Sequence, residues 1–140
     1  MKRKIAVIGG AGFIGTHLTK ELMKENDVIV LDKVKPKSNI PFRQIDITDV
    51  NSLNNALTDI DVVFHLAAIL GVDNCLSNED SVIQINLQGT KNVIKACKNN
   101  QVKQLIFTSS SEVYGDGDVP FTESGPKNPK STYAKTKLLA

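Results

Sequence analysis

Seven residues near the amino terminus have the composition of a phosphate-binding turn. Gly9–Gly15 matches the pattern G-x-G-x-x-G when counted from Gly10, and matches G-x-x-G-x-x-G when counted from Gly9. Glycine permits a positive φ angle in a tight turn and lets the backbone approach a pyrophosphate without an intervening Cβ atom. A helix that begins directly after the turn offers free N–H groups and a partial positive charge to the anion. The alternative is a glycine-rich turn that holds no ligand, so the motif needs support from its surroundings.

An acidic residue supplies part of that support. Asp32 follows Gly9 by 23 residues and ends the predicted second strand. A carboxylate at this point of a dinucleotide-binding unit accepts hydrogen bonds from the adenosine ribose and repels a 2′-phosphate, which favours NAD over NADP. The neighbouring Lys33 is a cation that partly offsets this repulsion. Because strand, turn, helix and acid follow in the expected order, we interpret the segment as a dinucleotide site.

A tyrosine and a lysine near the carboxyl end are placed for proton transfer. Tyr133 and Lys137 are four residues apart in a predicted helix, so they share one helix face. A nearby ammonium group lowers the pKa of a tyrosine, although one exposed lysine cannot bring that pKa to neutrality. By itself the pair is more typical of a solvated helix face. The hydroxyl-rich segment Thr108–Gly115 follows the fifth predicted strand, where an open α/β sheet binds ligands, or it is simply a polar passage from strand to loop.

The elements that position these residues follow from hydrophobic periodicity. Apolar runs of strand length alternate with segments of helical period, which is typical of βαβ units and a parallel sheet. The predicted strands are Lys4–Ile8, Val28–Leu31, Phe42–Ile45, Asp61–His65 and Lys103–Thr108. The predicted helices are Phe13–Lys24, Val50–Leu57, Asp80–Asn99 and Ser131–Ala140, with loops at Lys33–Ile40, through Gly71 and at Gly115–Lys130. We expect Asp49 and Ser131 to cap helices.

Two further expectations concern packing. The first helix is expected to bury one apolar stripe, made of Phe13, Ile14, Leu18, Leu22 and Met23. The dinucleotide-fold rule gives the strand order 3-2-1-4-5. That order leaves the apolar run Leu105–Phe107 on an uncovered sheet edge, which predicts an association site.

Composition and charge restrict the class of protein. The chain has 140 residues, of which 41% are hydrophobic and 23% charged, with a net charge of +2. These values are typical of one soluble globular domain and give no electrostatic footprint for nucleic acid. No apolar stretch approaches the roughly 20 residues of a membrane span, and Cys75 and Cys97 do not form a close metal-binding pair. We therefore expect a cytoplasmic protein without a nucleic-acid, membrane or metal partner.

Taken in order along the chain, these features resemble the extended short-chain dehydrogenase/reductase family, specifically its NAD-dependent nucleotide-sugar epimerase/dehydratase group. The residues that carry the resemblance are Gly9–Gly15, Asp32, Asp46-Ile47, His65–Ala68, Asn86 with Gly89-Thr90, Ser109–Gly115 and Tyr133–Lys137. The resemblance covers all 140 residues. It implies an α/β fold with a Rossmann-type doubly wound parallel sheet that binds NAD, truncated after the fifth strand and the start of the helix that carries Tyr133 and Lys137.

The resemblance also implies which residues contact the cofactor. They are Gly9, Gly12, Phe13, Ile14, Gly15, Asp32, Lys33, Asp46, Ile47, Leu66, Ala67, Ala68, Asn86, Tyr133 and Lys137. Asp46 and Ile47 would contact the adenine, and the segment Leu66–Ala68 would line the cofactor. Asn86 would help to shape the site, with an ordinary helical polar residue as the alternative. His65 is expected to be structural rather than catalytic.

For catalysis, the resemblance implies a transient oxidation of a sugar hydroxyl. Tyr133 would be the general base, Lys137 would hold the nicotinamide ribose and tune the tyrosine, and Ser110 would bind the reacting hydroxyl. Ser111 and Glu112 would also contact the substrate, a nucleotide-diphosphate sugar and by expectation a UDP-sugar. We rank a 4-epimerase first, a UDP-glucuronate decarboxylase second and a 4,6-dehydratase third, because dehydratases of the group carry Asp-Glu where this chain has Ser111-Glu112.

The length of the chain leaves three hypotheses for its function. Members of the extended family are more than twice as long, so residues 1–140 are expected to be an incomplete NAD-binding domain that lacks the substrate domain. The first hypothesis is an enzyme of the nucleotide-sugar group, a homodimer when complete, of which this chain alone is inactive. The second is a NAD-binding module without turnover, and the third is an interaction fragment that pairs through its exposed strand edge.

Overall fold

The chain builds a five-stranded parallel sheet. The computed structural model describes residues 2–37, 39–70, 78–117 and 119–140; Gly71 of the predicted loop and Cys75 lie outside them. The strands are β1 (Lys4–Ile8), β2 (Asp27–Asp32), β3 (Phe42–Gln44), β4 (Val62–His65) and β5 (Gln104–Phe107). All neighbours pair in parallel, in the order β3-β2-β1-β4-β5. The predicted α/β class and strand order are therefore confirmed.

Helical segments connect the strands. They are α1 (Phe13–Leu22), α2 (Val50–Ala56), α3 (Glu79–Val82), a π-helical segment (Ile83–Gly89), α4 (Thr90–Asn99), a 3₁₀ turn (Ser111–Val113) and α5 (Thr132–Leu139). Apart from the long helix treated below, the boundaries of the predicted helices and strands agree with the structure to within two residues. The cap predictions are confirmed, because the Asp49 carboxylate accepts the N–H groups of Asn51 and Ser52, and the Ser131 hydroxyl accepts that of Ala134.

The chain divides into two compact units. Unit 1 comprises Met1–Ala67 and Gly89–Thr108, and contains the sheet with α1, α2 and α4. Unit 2 comprises Ala68–Gln88 and Ser109–Ala140, and contains α3, the 3₁₀ turn and α5. The glycine-rich turn therefore belongs to unit 1, whereas Tyr133 and Lys137 belong to unit 2.

The core of unit 1 lies on both faces of the sheet. Ala6 and Val7 in the central strand β1 are fully buried, as expected for a β-branched strand of a parallel sheet that is covered on both sides. One cluster joins Ile5, Val7, Val28 and Val62, with Leu22, Phe64, Leu66 and Ile106 packed against it. Helix α2 packs against α4, where burial raises the pKa of the Cys97 thiol to about 11. The thiolate is therefore scarce at neutral pH.

The predicted inward stripe of α1 was wrong for three of its members. The exposed side chains are those of Phe13 (85%), Ile14 (63%) and Met23 (38%). The helix instead buries Gly15 and Thr19, with Leu22 half-buried on the same face. The reason is a close approach of backbone: a Cβ atom on Gly15 would overlap the carbonyl oxygen of Gly9. The glycine-rich turn thus sets the rotation of α1, and apolar periodicity alone does not.

The predicted continuous helix Asp80–Asn99 was also wrong in form. It starts at Glu79, capped by the Asn78 side chain, and is interrupted by the π-helical segment before α4 continues. A π-helix hydrogen-bonds to the fifth residue along rather than the fourth, and such segments are often found at functional sites. Asn86 lies within it and is buried. β5 is an edge strand of the described sheet, as the predicted strand order requires. Association at this edge stays a prediction.

The packing of α2 can be tested by one substitution. Leu53 is fully buried, so Leu53→Ala should lower the free energy of unfolding by roughly 2 to 5 kcal/mol, through lost burial and a residual cavity. Urea denaturation followed by circular dichroism measures the change. The matched control is Leu139→Ala, because that leucine is 68% exposed. A control as destabilised as the core variant would contradict the assigned packing.

Candidate functional site

The glycine-rich turn is pressed against the ends of two strands. Gly9 has a φ angle of +82°, and a Cβ atom placed on it would lie 2.6 Å from the backbone nitrogen of Ala67. The Gly9 N–H donates to the Leu31 carbonyl at 2.9 Å, and the Gly12 N–H donates back to Gly9 O at 3.2 Å. Only glycine combines this backbone angle with this close approach, so Gly9 must be glycine for the turn to take this form.

Helix α1 begins at this turn without a side-chain cap. Its N-cap is Gly12, which makes no side-chain hydrogen bond, and its first turn contains no acidic residue. By contrast, Asp49 caps α2 and Ser131 caps α5. The first N–H groups of a helix have no partner within the helix, so this end of α1 has unsatisfied donors and a partial positive charge beside the glycine turn. That combination binds an anion such as a pyrophosphate.

Asp32 ends β2, as the sequence predicted, and its side chain contacts the glycine-rich turn. One carboxylate oxygen accepts the N–H of Ala11 at 3.0 Å, and the other accepts the N–H of Val34 at 3.1 Å. The side chain therefore lies at the carboxyl end of β2, in contact with the middle of the glycine turn. A carboxylate in this place can accept ribose hydroxyls without moving away from the turn.

Lys33 and Asp46 form an ion pair that sequence reasoning missed. Lys33 Nζ lies 2.9 Å from Asp46 Oδ2, and Asp46 Oδ1 accepts both the N–H and the hydroxyl of Thr48. Partial burial acts to raise the pKa of Asp46, but the hydrogen bonds from Thr48 and Lys33 outweigh it and hold that pKa below its usual range. The Asp-x-Thr spacing is typical of a turn closed by an aspartate side chain, and is the one signal that pointed to Thr48.

Gly89 and the α4 residue Asn92 hold the segment that follows Asp46. Ile47 is buried, and a Cβ atom on Gly89 would lie 2.6 Å from its Cδ1 atom. The Asn92 side-chain amide donates to the carbonyls of Ile47 and Thr48 at 3.0 and 3.1 Å. Nothing in the sequence singled out Asn92. The adenine contacts expected of Asp46 and Ile47 stay predictions; Asp46 is held by the ion pair with Lys33, and Ile47 is buried against Gly89.

The end of β4 carries the next group of predicted residues. His65 is fully buried, with Nε2 2.9 Å from the Thr90 hydroxyl and its ring 5.5 Å from that of Phe107. This environment agrees with the structural role expected for it. Leu66 continues the ladder by donating to Ile8 O at 2.9 Å. Leu66, Ala67 and Ala68 are half-buried, and their contact with a cofactor stays a prediction.

In unit 2, Tyr133 and Lys137 share one face of α5. Lys137 Nζ lies 5.9 Å from the centroid of the Tyr133 ring, within the range of a cation–π contact. Tyr133 is half-buried, whereas Lys137 is only 5% exposed and its burial lowers the pKa of its ammonium group. From the sequence we considered only the effect of an exposed lysine on the tyrosine. A buried one acts more strongly on the phenol, because the local dielectric is lower.

Two carboxylates hold the start of α5. Ser131 donates to Glu112 Oε2 at 2.9 Å, and Thr132 donates to Glu79 Oε1 at 2.8 Å. Negative charge at a helix N-terminus is stabilised by the helix dipole. Glu112 itself follows Ser110, whose hydroxyl accepts the Glu112 N–H at 3.2 Å and begins the 3₁₀ turn. Ser110 is half-buried, and the predicted substrate residues Ser111 and Glu112 are exposed.

Asn86 ties the π-helical segment to the rest of unit 2. Its Oδ1 atom accepts the Ile69 N–H at 2.8 Å, and its Nδ2 group donates to Ile69 O at 3.1 Å and to the Thr136 hydroxyl at 3.3 Å. Thr136 in turn donates to the Tyr133 carbonyl at 2.7 Å. Asn86 therefore positions the helix that carries Tyr133. A direct contact with the cofactor stays a prediction.

The predicted residues separate between the units. Unit 1 contains Gly9, Gly12, Phe13, Ile14, Gly15, Asp32, Lys33, Asp46, Ile47, Leu66 and Ala67, and unit 2 contains Ala68, Asn86, Ser110, Ser111, Glu112, Tyr133 and Lys137.

Within the described ranges, no group of three or more His, Cys, Asp or Glu side chains is arranged to hold a metal ion. Every helix in the described part of the chain is too short or too polar to span a bilayer.

Two curated relatives are similar over most of this chain. A UDP-N-acetyl-α-D-glucosaminuronate decarboxylase of Bacillus cytotoxicus is 44% identical over 133 residues, which are 88% of this chain and 41% of that protein. A UDP-glucose 4-epimerase of Lactobacillus helveticus is 38% identical over 148 aligned positions, covering 97% of this chain and 44% of that protein. The chain thus spans less than half the length of these relatives.

A solved structure gives the same result for the fold. The UDP-glucose 4-epimerase from Brucella ovis in complex with NAD superimposes with a TM-score of 0.91 at 29% identity, over 98% of this chain and 45% of that one. The sheet and its flanking helices are therefore of the Rossmann type found in that enzyme. The model of the NAD-dependent epimerase/dehydratase family matches residues 5–140. With nearly the whole chain matched, the protein belongs to the NAD-dependent epimerase/dehydratase family.

Proposed function

We propose that this chain is the NAD-binding part of an enzyme that oxidises and re-reduces a UDP-sugar, most specifically a 4-epimerase. The observation that carries the proposal is the pairing of half-buried Tyr133 with the buried ammonium group of Lys137 on one face of α5. Burying the ammonium group of Lys137 costs free energy, because the charge loses its hydration. A helix with a purely structural role could keep its lysine in water and avoid that cost. The two curated relatives named above are enzymes of UDP-sugars, and the proposed substrate class is taken from them.

The residues of unit 1 fit NAD. A Cβ atom on Gly9 would strike the backbone of Ala67, so the turn keeps its shape only with glycine, and α1 offers uncapped N–H groups to the pyrophosphate. Asp32, already bonded to Ala11 in the turn, would accept the hydroxyls of the adenosine ribose. Asp46 and Ile47 would contact the adenine. When bound, NAD supplies a reversible acceptor for the hydride of the sugar carbon.

The proton is handled by unit 2. Tyr133 would take the proton of the sugar 4-hydroxyl, while Ser110 would hydrogen-bond the same oxygen and orient it. Lys137 would stabilise the resulting phenolate and hold the nicotinamide ribose through its ammonium group. In a 4-epimerase the 4-keto sugar then rotates and is reduced on its other face, and Tyr133 returns the proton to the oxygen. The cofactor ends each turnover in its starting oxidation state.

A decarboxylase is the second candidate. It is favoured by the 44% identical relative, a UDP-N-acetyl-α-D-glucosaminuronate decarboxylase. Oxidation at C4 of such a sugar acid makes a β-keto acid, whose C5–C6 bond breaks with release of CO₂ as its electrons move into the C4 carbonyl. Tyr133 would serve the same first step. A 4,6-dehydratase is less favoured, because Ser111 replaces the aspartate expected of that group.

The dinucleotide site can be tested at Gly9. Gly9→Ala places a methyl group against Ala67 in a backbone conformation that alanine rarely adopts, so it should weaken NAD binding by at least about tenfold, equivalent to roughly 1.4 kcal/mol. Isothermal titration calorimetry measures the dissociation constant. The matched control is Gly117→Ala, whose Cβ atom would make an ordinary 3.5 Å contact with Phe121. Equal affinity in the folded Gly9 variant would contradict the assigned cradle.

The proposed base can be tested with the two tyrosines of the chain. In the full-length enzyme, Tyr133→Phe should lower kcat by about 10² to 10⁴-fold, because the proton acceptor is lost, while NAD binding is retained. Tyr114→Phe is the control, since the Tyr114 ring stacks on Phe121 and that contact does not need its hydroxyl. Turnover is followed as interconversion of UDP-glucose and UDP-galactose. Full activity of the Tyr133 variant would remove tyrosine from the mechanism.

The two candidate activities give different products. A 4-epimerase should equilibrate UDP-glucose with UDP-galactose without gas release. A decarboxylase should release one CO₂ per molecule of UDP-glucuronic or UDP-N-acetylglucosaminuronic acid, because the carboxylate leaves only after oxidation at C4. Product analysis by anion-exchange chromatography, with ¹⁴C-carboxyl substrate for the second reaction, separates them. Detection of CO₂ with no interconversion would replace the epimerase by the decarboxylase.

A further inference from the structure

The lysine that follows the ribose-binding acid is held by a second carboxylate. Strands β2 and β3 pair in parallel with Asp32 opposite Gln44, and the Ile45 N–H donates to Asp32 O at 3.0 Å. The Gln44 side chain also donates to the Lys33 carbonyl at 3.1 Å. This register brings the residues after the two strands side by side, and Lys33 Nζ meets Asp46 Oδ2 at 2.9 Å.

Asp46 is oriented for that contact. Its other oxygen accepts the Thr48 N–H at 2.9 Å and the Thr48 hydroxyl at 2.8 Å, and Asn92 holds the following carbonyls. The hydrogen bonds and the ion pair together outweigh partial burial and lower the pKa of Asp46, so the carboxylate is charged at neutral pH. The Thr48 bonds fix one oxygen and leave the other directed at Lys33.

The chemistry of this cluster bears on the choice between two dinucleotides. A 2′-phosphate is accommodated by a cation close to the end of the second strand, and repelled by an acid there. Lys33 is such a cation, directly beside Asp32. Because Asp46 neutralises it, Asp32, Lys33 and Asp46 together carry a net negative charge. A ribose with free hydroxyls tolerates this charge, and a 2′-phosphate does not.

We propose that Asp46 is a specificity-determining residue, which selects NAD over NADP by holding and neutralising the Lys33 ammonium group. The inference rests on the proposed function, because it takes the glycine turn and Asp32 to bind the dinucleotide. Asp32 alone repels a 2′-phosphate but leaves the neighbouring Lys33 free to attract one; Asp46 would remove that attraction. Removal of Asp46 would convert Lys33 from the partner of a carboxylate into a site for the 2′-phosphate.

The test compares NAD and NADP binding by calorimetry in the full-length protein. Asp46→Asn keeps an oxygen for Thr48 and replaces the charged oxygen that faces Lys33 by an uncharged NH₂ group. The ratio of the NADP to the NAD dissociation constant should fall by about 5- to 10-fold, the size expected of one partly exposed charge near a phosphate. The fall should shrink in 1 M salt, where exposed charges are screened. Asp46→Ser gives the same measurement if the asparagine variant does not fold.

The double variant Lys33→Met/Asp46→Asn shows whether the effect passes through the lysine. With Lys33 absent, the fall in the ratio relative to Lys33→Met alone should disappear. An equal fall in the absence of Lys33 would mean that Asp46 repels the phosphate directly, and would overturn the proposal. So would an unchanged ratio in an Asp46→Asn protein that still binds NAD. A wild-type protein that binds neither dinucleotide would overturn the proposed function, and this inference with it.

Discussion

The backbone of Gly15 lies so close to the carbonyl of Gly9 that no side chain fits between them, and the form of unit 1 depends on this approach. A Cβ atom on Gly15 would overlap the Gly9 oxygen, and one on Gly9 would strike the start of the segment after β4. Helix α1 must therefore begin where it does and present Gly15 and Thr19 inward. The N-cap residue of α1 is also a glycine, Gly12, so no side chain caps the first N–H groups of the helix.

Unit 2 is organised in a different way, by polar side chains around one helix. Ser131 both caps α5 and donates to Glu112, while Asn86 reaches α5 through Thr136. These bonds position Tyr133 from two sides of its helix turn. Polar groups suit this purpose because their geometry is directional, whereas apolar contacts fix only distance. The helix that carries the proposed base is therefore held by a hydrogen-bonded network.

Local patterns predicted much of this structure. The turn at Gly9 and the caps Asp49 and Ser131 follow from signals within a few residues, and the strand order follows from the dinucleotide-fold rule; all were confirmed. The buried face of α1 was not predictable from its apolar residues, since a backbone contact with the turn sets its rotation. The π-helical segment leaves no periodic signal in a sequence that also fits a continuous helix.

Long-range contacts in the site were hidden for a related reason. The pairing of Lys33 with Asp46 depends on the register of β2 and β3, and the role of Asn92 depends on how α4 packs beside the segment after β3. Neither is encoded in spacing along the chain. The family resemblance supplied roles for Asp46 and Asn86 but not their partners, which only the three-dimensional arrangement gives.

The burial of Lys137 also has a thermodynamic consequence. Because desolvation lowers the pKa of this ammonium group, the folded chain binds that proton less tightly than the unfolded chain does. Below the lowered pKa both states are protonated, and the fold bears the whole cost of burying the charge. As the pH rises from there toward the ordinary lysine value of about 10.4, that cost is relieved. Below its lowered pKa, the buried Lys137 thus costs the protein part of its conformational stability.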